Sequence, residues 1–337
     1  MRSARGFSLT VLSAGALFAA ACSAATEAPA AANNNVTTKG VAAQGALQEP
    51  GWELVWADEF SGSELDRAKW APEISCWGGG NDERQCYTDR PENIEVRDGV
   101  LHLIAKKESF EGPTFPPEFG RSGTTRQSYT SGKVRTRGLA DWRYGRIEIR
   151  AKPPAGQGTW PAVWMMPAED YYGTWPLSGE IDILEAVNLG AACPDCDGDV
   201  GENRTISALH FGDAAPGNDF VDVRVALPDG ALPSENFHVW AAEWAQGEIR
   251  FFLDGVQYFR VTNDKWHTAS PRAEGNPDAP FDRPFYIMAN LAIGGRLSER
   301  NNEKGVSDTA TPNAFLIDWI RIYQCREDKE KGRACLR

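Results

Sequence analysis

The stretch Ser178-Gly179-Glu180-Ile181-Asp182-Ile183-Leu184-Glu185 constrains the fold of this chain more than any other. Acidic and apolar residues alternate with period two from Glu180 to Ile183, the pattern of a strand with one wet face and one buried face. Glu180 and Asp182 therefore share a side. Simple alternation would put Leu184 there next, yet the third acid, Glu185, comes one residue late. A β-bulge absorbs one extra residue and restores the phase, returning Glu185 to the side of the other acids. Three carboxylates on one strand face repel one another and raise each other's pKa. A structural role has little use for that. Cleavage of a glycosidic bond does, because it needs one ionised carboxylate and one protonated carboxyl at the same place.

The rest of the chain reads in the same way. Turn residues recur throughout, no long window keeps a 3.6-residue period, and there is no internal repeat. Phe237–Trp244 and Glu248–Gly255 alternate cleanly as a hairpin, and Glu92–Val96 with Asp98–Leu103 reads as another, joined by Asp98-Gly99. Gly145 to Ala151 alternates Arg146, Glu148 and Arg150 with Ile147, Ile149 and Ala151, which predicts one core face and one face in water. Glu108 to Tyr129, rich in Gly, Pro, Ser and Thr, reads as a long rim loop. Many short strands in one antiparallel domain imply an all-β fold, a jelly-roll β-sandwich of two antiparallel sheets with a concave substrate cleft. The net charge of -12 argues against nucleic acid as a partner and suits a neutral polymer better than an anionic one.

Residues 1–22 read as an export signal, with Arg2 and Arg5 ahead of a short apolar run. Cys22 follows Leu17-Phe18-Ala19-Ala20-Ala21, which resembles a bacterial lipoprotein box with Cys22 as the lipidated residue; ordinary cleavage near the alanines is the alternative. Residues 23–48 read as a flexible linker, 49–325 as the catalytic domain and 326–337 as a C-terminal tail. The expected location is outside the cytoplasm: an outer-membrane lipoprotein, the cell surface, the periplasm or the medium. Membrane contact is expected only through a lipid on Cys22, and the protein is expected to be a monomer. Six further cysteines form an even set in an exported chain, and proximity favours Cys76 with Cys86, Cys193 with Cys196, and Cys325 with Cys335.

Upstream of the acids runs Gly158-Thr-Trp160-Pro-Ala-Val-Trp164-Met-Met-Pro167, then Tyr172-Gly-Thr-Trp175-Pro176. Together with Glu180-x-Asp182-x-x-Glu185 this resembles the laminarinase-like branch of glycoside hydrolase family 16, over Trp52 to Tyr323. The resemblance implies retaining endo-hydrolysis of β-1,3-glucan by double displacement. Glu180 would be the nucleophile, Glu185 the acid/base, and Asp182 the residue that holds Glu180 and tunes the protons. Asn93, Trp160, Trp164, Trp175 and His210 would bind substrate or line its site. Trp160 and Trp164 lie four residues apart and share a strand face, where an indole takes a sugar ring on its flat face and a hydroxyl on its N–H. No cofactor is implied for catalysis. A structural calcium is, at Glu59, Gly99 and Asp318, the first two through backbone oxygens. The loops at Asp213 and Arg296 lack the family's usual aromatics, which leaves a galactanase of the agarase or carrageenase kind open beside the glucanase. A transglycosylase shares the same acids, and a non-catalytic glucan-binding protein would typically have lost one of them.

Overall fold

The alternation in the sequence is realised as strands. The computed structural model describes residues 51–196 and 199–336; the leader with Cys22 and the 23–48 linker lie outside the described residues. In chain order the strands are β1 (Trp52–Asp58), β2 (Ala71–Pro72), β3 (Gln85–Tyr87), β4 (Ile94–Arg97), β5 (Val100–Pro113) and β6 (Thr124–Ser131). They continue with β7 (Lys133–Arg135), β8 (Gly145–Lys152), β9 (Thr159–Pro167), β10 (Glu180–Ala186), β11 (Arg204–Gly212) and β12 (Asn218–Ala226). The last are β13 (His238–Ala245), β14 (Glu248–Leu253), β15 (Val256–Thr262), β16 (Phe285–Ile293) and β17 (Asn313–Cys325). A five-residue helix, α1 (Arg296–Arg300), follows β16.

These strands form a jelly-roll β-sandwich. The ten-stranded sheet runs β15-β14-β13-β8-β17-β5-β6-β3, with β1 on β17 and β4 on β5. The seven-stranded sheet runs β12-β11-β10-β9-β16-β7-β2 and carries the acids on β10. Strand pairs are antiparallel except β3 and β6, because β3 enters from the Cys76–Cys86 loop and not from a hairpin. The core lies between the sheets. Ile147, Ile149, Trp240 and Phe251 of one meet Met165, Ile181, Ile183 and Phe285 of the other, all at most 1% exposed. Each such side chain contributes about 1.5–3 kcal/mol on leaving water.

Local chemistry fixes the frame. Asp58 caps the end of β1 by accepting from Phe60 N (3.0 Å) and from the indole of fully buried Trp70 (2.8 Å). The turn at Asp98-Gly99 has φ of 56° and 76°, the left-handed pair a tight hairpin needs.

Two expectations are corrected. The charged face of β8 is not in water: Arg146 and Glu148 are 4% and 2% exposed. Arg146 donates to Glu148 (2.8 Å) and to Glu243 on β13 (2.7 Å), and its guanidinium lies 5.0 Å from the Phe252 ring. Burial is tolerated there because opposite charges pair across neighbouring strands. The Glu108–Tyr129 segment is not one loop: β5 and β6 pair as far as Pro113 and Thr124, past a bulge at Lys107/Phe110, and leave only 114–123 as a turn.

The 326–337 tail is also more than an appendage. Cys335 is buried and bonded to Cys325, against Trp52 and Tyr323, while Lys329 pairs with Glu53 (3.0 Å) and Arg333 donates to Gln246 O (2.8 Å). Cys76–Cys86 and Cys193–Cys196 are bonded as well. The Cys325–Cys335 separation is ten residues. A loop of that length restricts the unfolded chain by about 2–3 kcal/mol, so a Cys325→Ser/Cys335→Ser double variant should lose about that much stability. Denaturant unfolding checks it.

Candidate active site

The bulge is visible on both sides of β10. Against β11, Asp182 faces Ala208 and Glu185 faces Ile206, so Ile183 and Leu184 together oppose Ser207 alone. Against β9, Asp182 faces Trp164 and Leu184 faces Val163, so Ile183 is the extra residue. Ile183 and Leu184 are both fully buried, and Glu185 regains the side of Glu180 and Asp182. At the bulge, Ser207 Oγ donates to the Ile183 carbonyl at 2.7 Å. That hydroxyl has one proton, so the 2.6 Å contact with Tyr258 makes Tyr258 the donor. Tyr258 belongs to β15 of the other sheet, so the bulge is braced across the sandwich. Ahead of β10, Gly179 has φ 83° and sits so near Phe281 and Pro280 that a Cβ would lie 2.9 and 3.0 Å from their rings.

The acids have different surroundings. Burial pushes the Glu185 carboxyl up to about 7; the negative charges of Glu180 and Asp222 add to the rise, and a hydrogen bond from Trp160 and the charge of His210 oppose it. Burial, then the charges of Glu180 and Glu185, then a hydrogen bond to Glu180, hold the Asp182 carboxyl well above the usual carboxylate range. A protonated Asp182 donates to Glu180. Its Oδ2 has no close partner, and His210 Nε2 stands 3.5 Å away. One carboxyl able to give a proton and another held by donors is the division that glycosidic cleavage uses.

The indoles act differently from expectation. Trp160 Nε1 donates to Glu185 (2.8 Å), Trp175 Nε1 to Glu180 (2.5 Å) and Trp164 Nε1 to Asn290 (2.7 Å). All three N–H groups are spent on protein acceptors, so none is left for a sugar hydroxyl. What these side chains offer is ring surface, and two of them orient an acid. His210 lies directly across from Glu180 on β11 and shares a hydrogen bond with Asn218 (3.1 Å).

Asn93 is corrected. It is fully buried; its Oδ1 accepts from Thr88 (2.6 Å) and Arg90 (3.0 Å), and its Nδ2 donates to Ile104 O (2.9 Å) and Thr130 (3.1 Å). Every hydrogen-bonding position of the amide is filled, so it holds the β4–β6 region together and has nothing to offer a sugar. Asn290 and Lys133, whose ammonium lies 5.0 Å from the Trp164 ring, are not flagged by the sequence pattern. Asn290 had a signal: it is the lone strongly polar residue in the apolar run of β16.

The expected calcium ligands do not fit the ion. The Asp318 carboxylate, the only side-chain ligand in that set, is ion-paired with Arg150. The Arg150 guanidinium thus takes the one carboxylate that a calcium would draw on there. Among the described residues, donor clusters tight enough for a metal are Glu180–Asp182–His210 and Cys193–Cys196–Glu202, and the two sulfurs of the second are in a disulfide.

Two outcomes follow from this geometry. Glu185 has to carry a proton to give one, so kcat/KM should fall as pH rises through about 7. Trp160→Phe removes a donor that favours the anion, so its basic limb should move to higher pH; a limb that moves down contradicts the assignment. Ser207→Ala removes a buried donor from the Ile183 carbonyl at the bulge. It should cost about 1–3 kcal/mol in denaturant unfolding and lower kcat more than it changes KM, with Tyr258→Phe a weaker version of both.

Comparison with known proteins agrees with this site. Residues 52–325 match the family model described as "Beta-porphyranase A-D, GH16 domain". A "Beta-glucanase" of Rhodothermus marinus is 39% identical over 279 residues, covering 82% of this chain and 86% of the relative. "Glucan endo-1,3-beta-glucosidase A1" of Niallia circulans is 36% identical over 282 residues, 81% of this chain but 38% of that longer protein. The crystal structure of the laminarinase from Rhodothermus marinus superposes with a TM-score of 0.64 at 36% identity, over 81% of this chain and 97% of that one. The acid-bearing bulged strand thus sits in a sandwich that covers nearly all of the Rhodothermus marinus laminarinase structure, and the chain belongs to glycoside hydrolase family 16 as a glycoside hydrolase.

Proposed function

We propose that the protein is a retaining endo-glycosidase that cleaves β-1,3-glucan of the laminarin type. The observation that carries the reading is the contrast between Glu185, raised to about 7, and Glu180, held by Trp175 and by Asp182. Glu180 attacks the anomeric carbon while Glu185 protonates the departing oxygen. A glycosyl ester forms on Glu180, and Glu185, now a base, takes a proton from the water that hydrolyses it. Asp182 keeps its proton throughout, so the carboxylate released on Glu180 as the ester breaks has a neutral carboxyl beside it and not a second anion. No cofactor enters these steps.

The glucan assignment draws on the names of the relatives and on charge. A sulfated galactan would call for cations free to meet sulfate. Arg84 is paired with Glu299, Arg296 with Asp82 (2.8 Å), and Lys133 with Glu73 (3.0 Å). These residues stand on the segments that flank Trp160 and Trp164: a Cβ on Gly295 would lie 3.4 Å from the Trp160 ring and 3.1 Å from Glu83. We also read the protein as exported, since three disulfides suit an oxidising compartment; attachment through a lipid on Cys22 belongs to the same reading.

The test is reducing-sugar release from laminarin, lichenan, agarose and carrageenan under equal conditions, with the early products followed by NMR. Laminarin should be cleaved internally with retained configuration, and lichenan more weakly. Glu180→Ala and Glu185→Ala should each lose at least about a thousandfold in kcat, the order expected for removal of a catalytic group. Activity on a galactan with none on either glucan would overturn the substrate, and inverted product would overturn the mechanism. Transfer to an added sugar in preference to water would identify a transglycosylase.

A further inference from the structure

Glu180, His210 and Phe220 form one cross-strand row: Glu180 pairs with His210, and His210 with Phe220. Phe220 lies two strand spacings from the nucleophile, about 9–10 Å. The row is also a strip of rings. Trp175, bonded to Glu180, has its centroid 6.2 Å from His210, and His210 is 5.6 Å from Phe220. Its two ends are open: Trp175 is 37% and Phe220 52% exposed.

On β12 the alternation separates two faces. Val221 and Val225 pack against the core, so Asn218, Phe220, Asp222 and Arg224 turn to the side that carries the acids. Asp182, Ala208 and Asp222 form the next cross-strand row on this face, which sets Asp222 beside the reacting groups. Between Asp182 and Asp222 the paired residue is Ala208, which leaves room above the sheet. An exposed phenyl ring flanked by amide and carboxylate groups suits a pyranose, whose C–H face takes a ring and whose edge carries hydroxyls. An isolated exposed Phe on an edge strand is ordinary; one in register with a nucleophile, at the end of a strip of rings, is not.

We propose that Phe220 is the stacking platform of a further sugar subsite, on the β12 side of the scissile bond and opposite Trp160 and Trp164, with Asn218 and Asp222 as acceptors for hydroxyls. The ligand is an uncharged pyranose unit of the chain being cleaved. This rests on the proposed polysaccharide hydrolysis and adds where one of the outlying sugars binds.

The experiment compares wild type, Phe220→Ala and Phe220→Trp on β-1,3-linked gluco-oligosaccharides of increasing length and on an activated aryl β-glycoside. The reading is the ratio of kcat/KM on the longest oligosaccharide to that on the aryl substrate, together with the position of the bond cut. Phe220→Ala should lower the ratio about three- to tenfold, the size of one aromatic contact, and shift the preferred bond. Phe220→Trp should keep or raise it. A ratio and cutting position like those of wild type would overturn the subsite. So would equal losses on every substrate, which would mean that Phe220 only supports His210. Failure of the glucan assignment looks different: wild type itself would leave the gluco-oligosaccharides intact, and the same ratio is then read on the galacto-oligosaccharides it cleaves.

Discussion

One extra residue in β10 is the constraint on which the site depends. Glu180 and Asp182 follow the ordinary period of a strand, and Glu185 reaches them only because Ile183 is inserted without a partner on β9. The insertion is held in place from below. Ile181, Ile183 and Leu184 are at most 1% exposed, and burying them offsets the repulsion of three acids on the opposite face. Flattening the bulge would turn Glu185 toward the core, where an acid has no partner. Selection for the core thus also fixes the geometry of the acids.

The same packing explains how chemically similar carboxyls take different parts. Glu180 and Glu185 each receive an indole N–H, from Trp175 and Trp160. The difference at Glu185 comes first from its burial, with the charges of Glu180 and Asp222 adding to it, while Asp182 is buried beside Glu180 and held protonated by burial and by its two acidic neighbours. Burial and a neighbouring carboxylate both disfavour ionisation of Glu185, which is why it keeps a proton to give. The tryptophans lie on two segments, β9 and the turn before β10, and bind the acids from opposite ends of the strand. They serve the acids first and the substrate second.

What the sequence discloses depends on whether periodicity reports it. The bulge is legible because only an inserted residue brings a third acid back to the face of the first two, and the shared face of Trp160 and Trp164 follows from an even spacing. The local cysteine pairs are legible from proximity. Burial of polar groups is not legible. Asn93 looks like a turn residue open to a ligand, and only the structure reveals that Thr88, Arg90, Thr130 and a carbonyl exhaust its amide. Arg146 and Glu148 read as a wet face because their partner, Glu243, is about a hundred residues away in sequence but next to them across the sheet. Asp318 fails as a metal ligand for the same reason, through Arg150. Long-range pairing of charges has no local pattern, whereas side-chain alternation does.

The contact of Tyr258 with Ser207 gives the ten-stranded sheet an influence that its distance from substrate conceals. β15 is the edge strand of that sheet, and only one of its hydroxyls reaches the bulge. A packing change at an edge strand is absorbed easily by the fold, yet here it moves the anchor of the acid-bearing strand. Evolution therefore has a control on turnover that leaves every cleft residue untouched. In a library of random variants, changes in rate unaccompanied by changes in specificity would gather around β15, on the far side of the protein from the sugar chain.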